Sequence, residues 1–177
     1  EPFSDTSYSY NPRSPVPTRG GANIFISSHG GWDQRENEAR GDVLSFTSPP
    51  FTEAKEFAGM VKVRLYVETT AVDTDFAVML TDVYPDGKSI NLVDTLVPLR
   101  HRRTVRANEF VTPNQVYLME IDVGNVAFAI NEGHRLRLNI TSSNSPKFAV
   151  NRNNNRPLDP SGPFVTAGNT VHHSRFS

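Results

Sequence analysis

The residues able to do chemistry are few, and none falls into a catalytic spacing. A serine hydrolase needs an activated hydroxyl, commonly on a G-x-S-x-G elbow between a strand and a helix. No such pentapeptide occurs, and Ser27-Ser28-His29 is only a hydroxyl and an imidazole adjoining in sequence, which reads as a polar loop. The five histidines, His29, His101, His134, His172 and His173, show no i, i+4 pair of the kind that holds zinc on a helix. His172 and His173 are neighbours in an expected strand and so point to opposite faces. Asp73-Thr74-Asp75 and Asp82…Asp86-Gly87 bracket another strand. Carboxylates on such loops can hold calcium, but the D-x-[DN]-x-[DN]-G loop with its distal Glu is absent. Capping or pairing with an arginine is the favoured reading there, with calcium on Asp73 and Asp75 as the minor one. No other metal and no cofactor is expected.

The composition narrows the classes further. The 177 residues carry 18 Lys+Arg against 19 Asp+Glu, a formal net charge of −1, and no cysteine. That excludes a disulfide framework and a thiolate metal site, and it leaves no long-range field for nucleic acid or an anionic membrane. The one basic run, Arg100, His101, Arg102, Arg103 and Arg106, lacks interleaved exposed aromatics and reads as a solvated edge or a contact with a neighbouring domain. No apolar run reaches a membrane-spanning length. The first residue, Glu1, is not Met, so a fragment or processed product is expected, and the sequence leaves localisation open.

The elements that position these groups alternate with period two. Val61, Val63, Leu65 and Val67 share one face of Met60–Thr69, and Phe76, Val78 and Leu80 share one face of the next segment. Tyr117, Met119, Ile121 and Val123 do so in 115–123, and Leu136, Leu138 and Ile140 do so in His134–Thr141. Strands are also expected in 89–99, Val43–Thr47, 163–166 and 170–173, with at most one helical turn in 127–131. Several short strands at this spacing make the chain an all-β sandwich. Residues 1–41 differ: proline and glycine pairs dominate, and the segment is expected to be an extended linker arm that packs on a neighbour, with the sandwich in 42–177. Tyr8, Tyr10, Phe25, Trp32, Arg102, Arg103 and His134 are the candidate interdomain contacts. Trp32 could alternatively stack on a sugar, which would make the chain an independent carbohydrate-binding module. With no second aromatic platform, the anchor reading is preferred.

These segments also resemble a known family. Tyr8-Ser9-Tyr10-Asn11-Pro12-Arg13-Ser14-Pro15-Val16-Pro17-Thr18-Arg19-Gly20-Gly21 is similar to the connector after the catalytic domain in the cocaine esterase and X-Pro dipeptidyl-peptidase hydrolases. Asp33-Gln34-Arg35, 42–48, 73–76, 82–87 and Gly133-His134-Arg135-Leu136-Arg137-Leu138 follow in the family's order. Ser142-Ser143-Asn144-Ser145-Pro146 departs from it by lacking an aromatic. The resemblance implies a galactose-binding-domain-like jelly roll, the non-catalytic C-terminal domain of a serine hydrolase of esters or amides. Its implied partners are the upstream α/β-hydrolase and cap domains of the same polypeptide, with homo-oligomer contacts as a further use. The triad would then lie upstream, and this domain would help shape the active-site rim.

Overall fold

The computed structural model describes residues 5–24, 28–157, 159 and 161–173. Among the described residues eight strands form two antiparallel four-stranded sheets: β1 (Thr6–Tyr10), β2 (Leu44–Thr47), β3 (Lys55–Thr69), β4 (Asp75–Val83), β5 (Ser89–Pro98), β6 (Tyr117–Ile130), β7 (Arg135–Thr141) and β8 (Ala167–His172). One sheet runs β1-β8-β3-β6 and the other β2-β7-β4-β5. The expected alternation supplies the core. Leu65, Val67, Phe76, Val78, Met119, Ile121, Val123, Ile140 and Val171 are buried between the sheets, joined by Leu99 and Val111 from the β5–β6 connection.

Four segments depart from the sequence expectation. Residues 127–130, expected to hold a helical turn, are strand: β6 pairs with β3 from Tyr117↔Val67 to Ile130↔Lys55. A one-residue shift between Val61 and Lys62 bends this ribbon opposite Gly124. Gly124 has φ +146°, and a Cβ there would come within 2.9 Å of Val93 Cγ2, so β5 closes over the bend only because no side chain stands in its way. Residues 163–166, expected as a strand, lie outside the regular elements. A short helix, α1 (Arg35–Glu38), was not anticipated.

The fourth departure concerns the first forty residues. Residues 6–10 are not an arm reaching elsewhere but the edge strand of the first sheet, paired Thr6↔Val171 to Tyr10↔Ala167. From there the chain crosses to the outer face of the second sheet and covers it. Val16 is buried, its N–H donating to Ser143 Oγ, and Thr18 and Ser145 join their backbones at 2.7 Å. Glu38 of α1 reaches down to Arg137, to Asn139 Nδ2 at 2.8 Å and to Ser89 Oγ at 2.6 Å. This third layer explains why β4 is covered on both sides, with Asp75 through Val78 and Thr81 through Val83 all buried. It also explains why the nominally outward Asn139 is buried.

Candidate interdomain surface

The structure separates the sequence candidates. Tyr8 and Tyr10, expected to meet a neighbouring domain, are instead 5% and 0% exposed and belong to this domain's interior. Tyr8 Oη lies 2.7 Å from Ser142 Oγ, which accepts from Asn169 Nδ2 at 2.8 Å, and Tyr10 Oη donates to the Asn151 carbonyl. Burial pushes both phenols well above their ordinary range, since an apolar surround penalises the phenolate. Phe25 lies outside the described residues. His134 is buried, with Nδ1 2.8 Å from Asp82 Oδ1 and its ring 4.3 Å from that of Tyr84. It ties the β6–β7 connection to the β4–β5 turn, so it acts within the domain.

Trp32 is partly exposed but stitched in place. Its backbone N–H donates to Asn91 Oδ1 at 2.7 Å, its indole N–H donates to the His29 carbonyl, and the adjacent Asp33 bridges to Ile90. Gly20 permits this turn. Its φ is +67°, and a Cβ would sit 2.5 Å from the Gly30 carbonyl oxygen. Trp32 therefore stands at the start of β5, whereas Arg102 and Arg103 follow its end. Trp32 joins β5 at Asn91, so seven strand residues, about 23 Å, separate it from the end of the strand, and the two groups do not form one patch.

The β5–β6 connection is the more developed surface. Leu99 is fully buried, with its N–H on the Thr74 carbonyl, and Val111 is buried with its N–H on the Val72 carbonyl. These two anchors hold the ends of the loop between them. A buried ionic cluster braces the first anchor: Arg100 Nη1 lies 2.5 Å from Asp73 Oδ2 and 3.9 Å from Asp75 Oδ1, while Asn151 Nδ2 donates to both carboxylates at 2.8 and 2.7 Å. The cation at Asp73 and Asp75 is thus a guanidinium. Among the described residues no group of three or more acidic, His or Cys side chains could hold a metal ion. Asp75 is pushed up to about 7, chiefly by burial and further by Asp73, against the Asn151 hydrogen bond and Arg100.

Beyond the anchors, Arg102 donates to the Leu99 and Glu109 carbonyls and stacks 4.7 Å from the Tyr117 ring centre. Arg103 Nε donates to Glu109 Oε2 at 2.7 Å. Val105, Phe110 and Val116 are exposed on this connection and Leu118 just beyond it, in β6, at 81%, 40%, 38% and 41%. Sequence reading picked out the arginines but missed these four. The visible signal was an apolar residue at Val105 and Phe110, in a segment with no strand or helix period to bury them, and at Val116 and Leu118, on the outward face of the period-two segment 115–123.

The sheet faces offer less. The second sheet's outer face is already covered. The first sheet's outer face carries the cross-strand pairs Lys62–Asp122 and Arg64–Glu120 in one half and the exposed Ala58, Met60 and Ala127 in the other.

The description of the X-Pro dipeptidyl-peptidase C-terminal non-catalytic domain matches residues 1–175. The chain belongs to that family. It is 36% identical over 172 residues to cocaine esterase from Rhodococcus sp. (strain MB1 Bresler), covering 96% of this chain but 30% of that protein. Two solved structures superpose at a TM-score of 0.88 with 25% identity, each over 97% of this chain and 31% of theirs. One is an aminopeptidase from the marine sediment archaeon Thaumarchaeota archaeon and the other an α-amino acid ester hydrolase. The domain therefore corresponds to about a third of the proteins it resembles. No described helix is long and apolar enough to cross a membrane.

Proposed function

We propose that this domain is the accessory unit of a longer serine hydrolase of esters or amides, and that it packs on the catalytic α/β-hydrolase and cap domains through its β5–β6 connection. One observation carries the reading: Val105 and Phe110 stand exposed on a loop that two core anchors and a buried ionic cluster hold in place, with Val116 and Leu118 exposed beside it at the entry to β6. Ordering a loop this firmly while leaving its large apolar side chains in water is costly unless a partner covers them. Arg103 and Arg106 supply a polar rim of the kind that surrounds an apolar interface centre. In this role the domain contributes no nucleophile. It fixes one wall of the substrate entrance and keeps water from the domain junction.

The test is a comparison of the full-length polypeptide with its Phe110→Asp and Leu118→Asp variants, read by turnover of an activated ester and of an X-Pro amide and by thermal unfolding. A docking role lowers turnover and unfolding temperature together. Turnover and melting that match the parent in both variants would end the reading. Turnover by this 177-residue chain alone, lost on one Ser or His substitution, would also end it.

A further inference from the structure

Most arginines among the described residues hold a carboxylate, as Arg19–Glu36, Arg40–Asp42, Arg64–Glu120, Arg137–Glu38 and the Arg100 cluster show. Arg13 and Arg152 hold none. Instead both stack on one aromatic ring. The Arg13 guanidinium carbon lies 4.6 Å from the Phe164 ring centre and that of Arg152 lies 4.3 Å from it. The two cations are therefore no more than about 9 Å apart, from those two distances, and both are held against the same aromatic ring.

Both are also fixed from behind. Arg13 sits in the Asn11–Ser14 turn, where the Ser14 N–H donates to the Asn11 carbonyl, the Arg13 N–H donates to Asn11 Oδ1, and Pro12 holds φ. Arg152 Nη1 donates to the Gly162 carbonyl at 2.6 Å, and the Arg152 carbonyl accepts from the Val165 N–H. Together with Pro12 and Val150 these side chains line a concavity of about 520 Å³. In a chain of net charge −1, two like charges held against one aromatic ring, with no carboxylate paired to either among the described residues, form a site prepared for negative charge.

We infer that Arg13, Phe164 and Arg152 form a docking site for an extended acidic polypeptide segment with carboxylates on alternate residues. Side chains at i and i+2 of a strand share a face and stand about 6.6 Å apart. That spacing lets one carboxylate meet each guanidinium fork while the backbone between them lies over Phe164, Pro12 and Val150. The site is independent of the β5–β6 surface and does not rest on the reading of the parent as a hydrolase.

The test uses the 177-residue chain and a capped pentapeptide with glutamates at its second and fourth positions and glycine elsewhere, followed by amide chemical shifts on titration. Saturable shifts confined to the segments around Arg13, Arg152 and Phe164 are expected. Affinity should fall at least tenfold in Arg13→Ala, whose exposed side chain makes no hydrogen bond that folding needs, and should weaken as salt rises. Arg152→Lys, which keeps the charge but loses the fork, should also bind more weakly. Absence of shifts, equal binding of the glutamine-substituted peptide, or binding untouched in Arg13→Ala would overturn the proposal. Free glutarate binding as tightly as the peptide would overturn it too, by making this a small-anion site.

Discussion

Replacing Asp75 by Asn should make the domain more stable at pH 8 and leave it nearly unchanged at pH 4. Asp75 is 3% exposed and its carboxylate faces Asp73, Arg100 and the Asn151 amide, with Tyr10 nearby. Its pKa rises from the ordinary 3.8 to about 7 because burial penalises the charged form more than its partners favour it. The folded protein therefore binds a proton that the unfolded chain releases between about pH 4 and pH 7. Stability contributed by that proton is complete below pH 4, declines through this window and is gone above pH 7. At about 1.4 kcal/mol per pH unit, the window corresponds to about 4 kcal/mol. Asparagine copies the neutral acid in shape and still accepts from Asn151. The variant should consequently gain up to about 4 kcal/mol over the parent at pH 8 and match it within about 1 kcal/mol at pH 4. Urea unfolding followed by circular dichroism at half-unit steps from pH 4 to 8 reads this directly, because other titrating groups cancel in the difference between the two profiles. Parallel profiles, or a difference that grows toward low pH, would refute the reasoning.

Other outcomes follow from the same contacts. Arg100→Met strands the fully buried Asp73 charge and should cost about 3–5 kcal/mol in chemical denaturation, most of it recovered when Asp73→Asn is added. Glu38→Gln leaves the third layer in place but weakens its hold on Arg137 and Asn139. A loss of about 1–3 kcal/mol is expected, with faster proteolysis in residues 28–43 than elsewhere. Tyr10→Ala empties a fully buried position under β1 and should cost about 3–5 kcal/mol, whereas Tyr8→Phe removes only a hydroxyl and should cost about 1 kcal/mol. Equal losses from the two tyrosine changes, measured by urea midpoint, would contradict the assignment of Tyr10 to the core.

How much of this was legible in the sequence depends on how far apart the interacting residues lie. β7 was plain because Leu136, Leu138 and Ile140 face a core that their own period reveals. β6 was half visible. Its first stretch alternates, but Ala127 and Ala129 carry no strand signal, and the pairing that makes them strand comes from residues 55–58 far upstream. β1 was obscured by the prolines after it, although Tyr8 and Tyr10 already alternate with Ser7 and Ser9. The covered outer face of β4 could not be read at all, since it depends on α1 and on residues such as Val16, Thr18 and Glu38 folding back across the sheet. The candidate surface shows the same limit. Arg100 and Asn151 lie 27 and 78 positions from Asp73, so the brace that stiffens the loop exists only in three dimensions. The family resemblance gave the non-catalytic role, which no spacing of residues in this chain could have supplied.

The central claim, that the β5–β6 connection is the face this domain presents to the rest of its polypeptide, is tested most directly by amide hydrogen exchange. Exchange would be compared between the 177-residue chain and the full-length protein. The account predicts slower exchange across residues 102–118 in the full-length protein, with the 55–61 and 124–130 halves of β3 and β6 unchanged. Unchanged exchange in 102–118 with new protection on the Ala58, Met60 and Ala127 face would contradict it and move the docking surface to the outer side of the first sheet.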